Sequence, residues 1–402
     1  MPSIHGASGD WQLEHGPANV VIAVDDSKGA QRAIEWALSH ALQAGDTVHL
    51  ACVLAPEAVS IPPSGPVSAP GAFVAWEYAH ESQRKQEEEA ASAVLRGAIQ
   101  TVRDAFPAPH GSASESSVTI RARMLPGHGG ASGVGESIVE YAHDNKATLV
   151  VLGCRGLGTL KRGLMALVGL GSVSDYAVAR LHCPVAVIHH DRPIAPPENR
   201  ARKICIACDE SDHSKITRER AVKHFVRPGD EVHVVSVALP VPYPVVDEAS
   251  PAVAAYESQQ WQTDKDAALA RAEEVCRAAV DATETDGVPR TSIWYRPLLP
   301  EGGASEVGQS IVHYCQKNEI DVLFVGSRGL SSVKRNVLGL LGLGSVSVYC
   351  VHQLQCAVIV CKHQDAIAAA GPAAAPEEVA LLGGGEGQVP VPVEAGARPH
   401  QA

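Results

Sequence analysis

Aromatic residues and long apolar runs are what this chain has least of. Phe, Trp and Tyr make up 4% of 402 residues, with four Phe and three Met, so its cores must be built from Val, Leu, Ile and Ala. No apolar run approaches the roughly 20 residues that span a bilayer, and no membrane partner is expected. The segment Met1 to Gly16 has no basic start and no apolar stretch, and it carries acids without arginine. Neither a secretory signal nor an organelle transit peptide is read there. Basic excess is missing too: the formal net charge is −12, which argues against electrostatic binding to nucleic acid or to an anionic membrane. A nucleotide is a different matter, because a local glycine loop and a helix dipole hold phosphates within an acidic protein. The ten cysteines fall mostly in strand-like apolar runs (Cys52, Cys205, Cys208, Cys356, Cys361). That suits buried thiols in a reducing, cytoplasmic setting better than a disulfide framework.

What is present is a duplication. Gly153-Cys-Arg-Gly156, a stretch from Leu157 to Leu170, then Gly171-Ser172-Val173-Ser174 recurs as Gly326-Ser-Arg-Gly329, Leu330 to Leu343, then Gly344-Ser345-Val346-Ser347, at a constant offset of 173 residues. Lys161-Arg162 recurs as Lys334-Arg335 at the same offset. A fixed offset over so long a stretch means a repeated domain. The expected organisation is a flexible 1–16, a first domain over 17–190, a linker at 191–200, a second domain over 201–363, and a disordered Ala/Gly/Pro-rich tail at 364–402.

Each half reads as alternating strands and helices. Asn19 to Asp25 is a continuous apolar run closed by a carboxylate, as in a parallel strand buried on both faces. Helical periodicity follows from Gly29 to Leu42, then strands at Val48–Leu54, Val118–Met124, Thr148–Leu152 and Cys183–Ile188, with helices over 75–106, 134–145 and 174–181. The second half repeats the order, with strands at Lys203–Cys208, Glu231–Val237, Ser292–Arg296, Asp321–Val325 and Ala357–Cys361, and helices over 255–282 and 307–317. The fold class expected is α/β: two tandem α/β/α sandwiches, each built on a Rossmann-like five-stranded parallel sheet of order 3-2-1-4-5.

In such a sheet ligands bind beyond the carboxyl ends of the strands. The groups placed there are Asp25, Val53, Gly153 and Gly156, and in the second half Asp209, Val237, Gly326 and Gly329. Glycine lets backbone approach phosphate without a Cβ clash. Gly171-Ser172 and Gly344-Ser345 stand where a helix begins, with free N–H groups and a dipole that favour an anion. Asp25 and Asp209 also suit a cap on the following helix, as do Asp26-Ser27 and Glu210-Ser211. Arg155, Arg328 and the two Lys-Arg pairs are candidates to reach phosphate or are solvated loop charges. Cys205-x-x-Cys208 has no second pair at zinc spacing, and alternation puts its thiols on opposite faces. Cys154, between glycines and beside Arg155, is a candidate for a lowered thiol pKa and redox sensing. His189 and His190 are read as surface residues.

The order Val24-Asp25-Asp26-Ser27, Gly153-x-x-Gly156, Gly171-Ser172-Val173-Ser174 and Cys183-Pro184-Val185 resembles the universal stress protein family, in its nucleotide-binding, plant-type tandem form, across both halves. The resemblance implies an ATP-binding fold (with AMP or ADP as alternatives) and Mg²⁺ held through the phosphates. Asp25 is then expected at the ribose and Val53 at adenine. Gly153 and Gly156 would line the phosphates, with Gly171, Ser172 and Val173 completing the site. Asp209, Val237, Gly326, Gly329, Gly344, Ser345 and Val346 take the same roles in the second half. In the family that fifth strand makes dimers, which implies an internal pseudo-dimer or a homodimer; protein partners stay unknown. This chain departs from the family's glycine spacing, with fourteen residues between Gly156 and Gly171, and between Gly329 and Gly344.

Three functions are weighed. A nucleotide-binding stress or signalling module leads, because no hydrolytic centre and no Gly-Lys-Ser/Thr phosphate loop is present. A slow ATPase needs a positioned acid or base, and only Asp25/Asp26 and Asp209/Glu210 are offered. An interaction scaffold with degenerate sites would assemble through the apolar fifth strands, which need covering.

Overall fold

The computed structural model describes residues 17–54, 72–108, 116–127, 130–154, 173–189, 200–238, 251–300, 306–327 and 345–362. The proposed 1–16 and 364–402 segments, and most of the linker, lie outside the described residues.

The first half runs β1 (Asn19–Ala23), α1 (Lys28–Trp36, continued by a π-turn over Ala37–Ala41), β2 (Thr47–Val53), α2 (Ala72–Ala105), β3 (Thr119–Leu125), α3 (Gly130–Asp144), β4 (Leu149–Cys154), α4 (Val173–Arg180) and β5 (Val185–His189). The second runs β6 (Lys203–Ala207), α5 (Asp212–His224), β7 (Glu231–Val237), α6 (Pro251–Thr285), β8 (Ile293–Leu298), α7 (Glu306–Lys317), β9 (Val322–Gly326), α8 (Ser345–Gln353) and β10 (Ala357–Cys361). Each half forms the expected order, β3-β2-β1-β4-β5 and β8-β7-β6-β9-β10, with parallel pairing throughout. The inner strands are short Val/Ile-rich runs buried on both sides, whereas the outer strands β3 and β8 are mostly exposed or half-buried.

The two sheets are one. β5 and β10 pair antiparallel, with Val187 opposite Val358 and Val185 opposite Val360, making ten strands. This is the internal pairing through strand five; each fifth strand covers the other's edge. Further contacts cross the seam. His189 Nε2 donates to the Val351 carbonyl at 2.9 Å, and Lys362 Nζ donates to the Ala179 carbonyl at 3.3 Å. His189 is therefore half-buried and engaged, not a surface residue as its sequence position suggested.

Two cores lie on the two faces of the continuous sheet. One, with Ile22, Leu50, Ile204 and Phe324, packs under α1, α2, α5 and α6; the other, with Val21, Cys205, Leu323 and Val358, packs under α3, α4, α7 and α8. Cys208 belongs to the first and Cys205 to the second, so the Cys-x-x-Cys thiols do face opposite ways. α2 buries Ala91, Leu95, Ala98 and Val102, a stripe at three- and four-residue spacing, and α6 buries Ala268, Ala272, Cys276 and Val280, one every four residues. On the α3 and α7 face the duplication repeats a polar pair: His49 Nδ1 lies 3.1 Å from the Tyr141 hydroxyl, and His233 Nδ1 lies 2.8 Å from that of Tyr314. No helix among the described residues is long and apolar enough to cross a membrane.

Candidate functional site

The carboxyl edge of each sheet gathers the described members of the set that sequence placed there. Val24 N–H extends β1 by donating to the Ala51 carbonyl at 2.9 Å, and Cys208 does the same to Val235 at 2.7 Å. Asp25 and Asp209 follow at once. Asp25 is exposed, and its Oδ1 accepts from the Ser27 amide at 2.9 Å. Asp209 Oδ1 accepts from the Ser211 amide at 2.9 Å and from the Ser211 hydroxyl. The helix caps are the serines: Ser27 Oγ accepts from the Ala30 amide at 3.1 Å, and Ser211 Oγ from the Ser214 amide at 3.2 Å. The aspartates thus order the turn before the helix and are not themselves the caps.

Val53 and Val237 end β2 and β7, half-buried. Val173 opens α4 and Val346 stands in the first turn of α8; all four valines pack on the core beneath α3, α4, α7 and α8. The structure therefore brings Val53 and Val173 to one face at one edge, and Val237 and Val346 likewise. Ser345 is the first residue of α8. Gly153 lies inside β4, one residue deeper than sequence placed it, and Gly326 ends β9. A Cβ on Gly153 would come within 2.3 Å of the Gly29 carbonyl carbon. Its missing side chain lets the start of α1 press on the strand. Gly156, Gly171, Ser172, Gly329, Gly344, both Lys-Arg pairs, Arg155 and Arg328 lie outside the described residues.

Cys154 behaves unlike the redox candidate that its neighbours suggested. Burial pushes its thiol up, opposed by a hydrogen bond with Ser174, and Asp175 adds to the rise. The dominant effect is loss of hydration of a thiolate, which makes it a poor nucleophile.

Sequence missed Asp175. It lies in the first turn of α4, beside the expected anion site, and its Oδ1 is 3.4 Å from His352 Nε2 of α8. The second half has Val348 at that position. The pair joins residues 177 apart in sequence across the seam, so nothing local marks it.

A model described as the universal stress protein family matches residues 18–189, 200–294 and 301–362. The chain belongs to the universal stress protein family. A universal stress protein of Mycobacterium tuberculosis is 41% identical over 88 residues, which is 22% of this chain and 28% of that relative; the match thus spans under a third of the relative's length. A solved universal stress protein from Archaeoglobus fulgidus shares the fold with TM-score 0.52 and 16% identity, over 87% of this chain and 97% of that one. A structure of a universal stress protein in complex with cAMP aligns over 40% of this chain and 95% of its own, with 21% identity and TM-score 0.27. The tandem arrangement here is two universal stress protein units fused on one sheet.

Proposed function

We propose that this universal stress protein is a stress-response module whose two units, 17–190 and 201–363, each hold one adenine nucleotide, by binding rather than turnover. The observation that carries the reading is the convergence, twice over, of an aspartate after the first strand, a half-buried valine ending the second, and a helix start at the carboxyl edge of the sheet. The ribose hydroxyls suit Asp25 or Asp209. The apolar base suits Val53 or Val237. The phosphates suit the amide-rich starts of α4 and α8 with Gly156, Gly171, Ser172, Gly329 and Gly344. ATP is the first candidate, with ADP, AMP and cAMP in the same series, and Mg²⁺ comes with the phosphates.

One observation favours a weaker first site: the Asp175 carboxylate sits where phosphate charge would gather. The test is calorimetric titration with Mg-ATP and with Mg-GTP. Two adenine-selective events are expected, with Asp25→Ala removing one and Asp209→Ala the other. Equal binding of GTP, or no change in either variant, would contradict the assignment.

A further inference from the structure

The halves also meet at two places related by the duplication. At each, the last turns of one half's first helix lie against the amino ends of the other half's strands. Counterparts stand 184 residues apart through α1 and α5, as the N-caps Ser27 and Ser211 show. From α3 onward they stand 173 apart, as the left-handed residues Lys146 (φ 50°) and Glu319 (φ 54°) show.

Where α1 meets the second half, the space is packed. Trp36 and His40 are 3% and 2% exposed, with rings stacked at 5.4 Å. Arg202 pairs with Asp230 at 2.6 Å and reaches the His40 carbonyl at 3.4 Å. Arg200 pairs with Asp321 at 2.7 Å.

Where α5 meets the first half, a cavity of about 510 Å³ remains. The exchanges between the twins account for it. Ala18 stands for Arg202, Ala147 for Ile320 and Thr148 for Asp321. They also change the charge. Lys146 stands for Glu319, Arg220 for Trp36, and His182 for Gln355. Lys146, Arg220 and His182 all line the cavity, together with His143 and His224. The carboxylate in the lining, Asp46, accepts the backbone N–H groups of Ala18 and Gln43 at 2.8 Å each. Arg220 donates to the Lys362 carbonyl, a neutral partner that leaves its charge uncancelled. Leu149, Leu181 and Phe225 supply an apolar wall.

We infer that this cavity is a binding site for a small organic anion, a compact apolar body carrying one carboxylate or phosphate group. Its volume lies in the usual range for small-molecule sites, about 300–1,000 Å³, and its mix of apolar wall and few converging polar groups is of that kind. The Arg220 guanidinium and the Lys146 ammonium are the charges that select an anion; His143 already has Asp144 at 3.7 Å, and burial holds His182 toward its neutral form, so the histidines add donors rather than charge. The cavity is at the amino edge of the first sheet, the end away from Asp25 and Val53, so it stands or falls apart from the nucleotide reading.

The test is calorimetric titration of the full chain with 2-naphthoate, 2-naphthyl phosphate and uncharged 2-naphthalenemethanol. One anion is expected to bind saturably, one per chain, about tenfold or more tighter than the alcohol; the two anions decide the head group. Ala18→Arg with Ala147→Ile installs the packed twin's own residues and should abolish binding. Lys146→Glu, on an exposed turn where the second half already has Glu, leaves the volume intact; it should weaken the anion about tenfold and leave the alcohol unchanged. No saturable anion binding to the native chain, or binding that survives both variants, would overturn the inference.

Discussion

At the scale of single residues, physical role and apparent motif role separate. Gly153 looks like half of a phosphate loop, yet within the strand its visible job is to let Gly29 approach. Gly153→Ala would force α1 off the sheet, and such overpacking costs about 1–3 kcal/mol. Urea unfolding should show that loss; an unchanged midpoint would mean that α1 yields freely. His40 makes the second case. Burial, aided by the Arg202 guanidinium, pulls its imidazole down to about 4. Its unfolded value is near 6.5, so its neutral state stabilises the fold fully above that pH, and the contribution fades as pH falls toward 4. Between pH 7.5 and 4.5 the linked loss is about 2–3 kcal/mol. Unfolding free energies of the native chain and of His40→Gln should diverge in pH slope by that amount; parallel slopes would refute the burial account. Sequence showed neither role, because both depend on contacts between separate elements. It did show the opposite facing of Cys205 and Cys208, since strand alternation is a local rule.

At the scale of elements, legibility follows the strength of the periodic signal. The inner strands were readable because both faces are buried, which makes each a short apolar run; β3, at the outer edge and mostly exposed, was readable only by its alternation. β7 and β10 begin and end where the sequence puts them. The long helices were readable from their stripes, though α2 and α6 extend three or more residues past the limits drawn at their starts. α5 offers little to read: its buried side includes Ser214, Thr217 and Arg218 beside Ala221 and Val222. Only its place in the repeat announces it. α4 carries a charge difference between the halves, Asp175 against Val348, that sequence passed over. A charge in the first turn of a helix is worth about 0.3–1 kcal/mol. Asp175→Asn should therefore tighten nucleotide binding in the first half about two- to fivefold, at a small cost to α4, and leave the second half as it was. Calorimetry on an Asp209→Ala background isolates that site. Unchanged binding would show that the carboxylate does not reach the ligand, and weaker binding that Asp175 with His352 supports it; either would contradict the expectation.

At the scale of the whole molecule, the duplication explains more than repetition. The two units close each other's open edges through β5 and β10, and their first helices reach across to the partner half. Fold and repeat were legible because they follow from alternation and offset. The apolar fifth strands signalled edges that need covering, but which partner covers them was expected only through the family resemblance, since pairing between strands 173 residues apart leaves no local mark. The candidate site was legible as a set of positions at one edge, and its described members do gather there. The central claim is that both units bind adenine nucleotide. The most direct measurement is native mass spectrometry of the freshly purified full chain, with the released ligand identified. The account predicts up to two adenine nucleotides per chain, falling to one in Asp25→Ala or Asp209→Ala and to none when both are changed. A chain that carries none, and takes up none from added Mg-ATP, would contradict it.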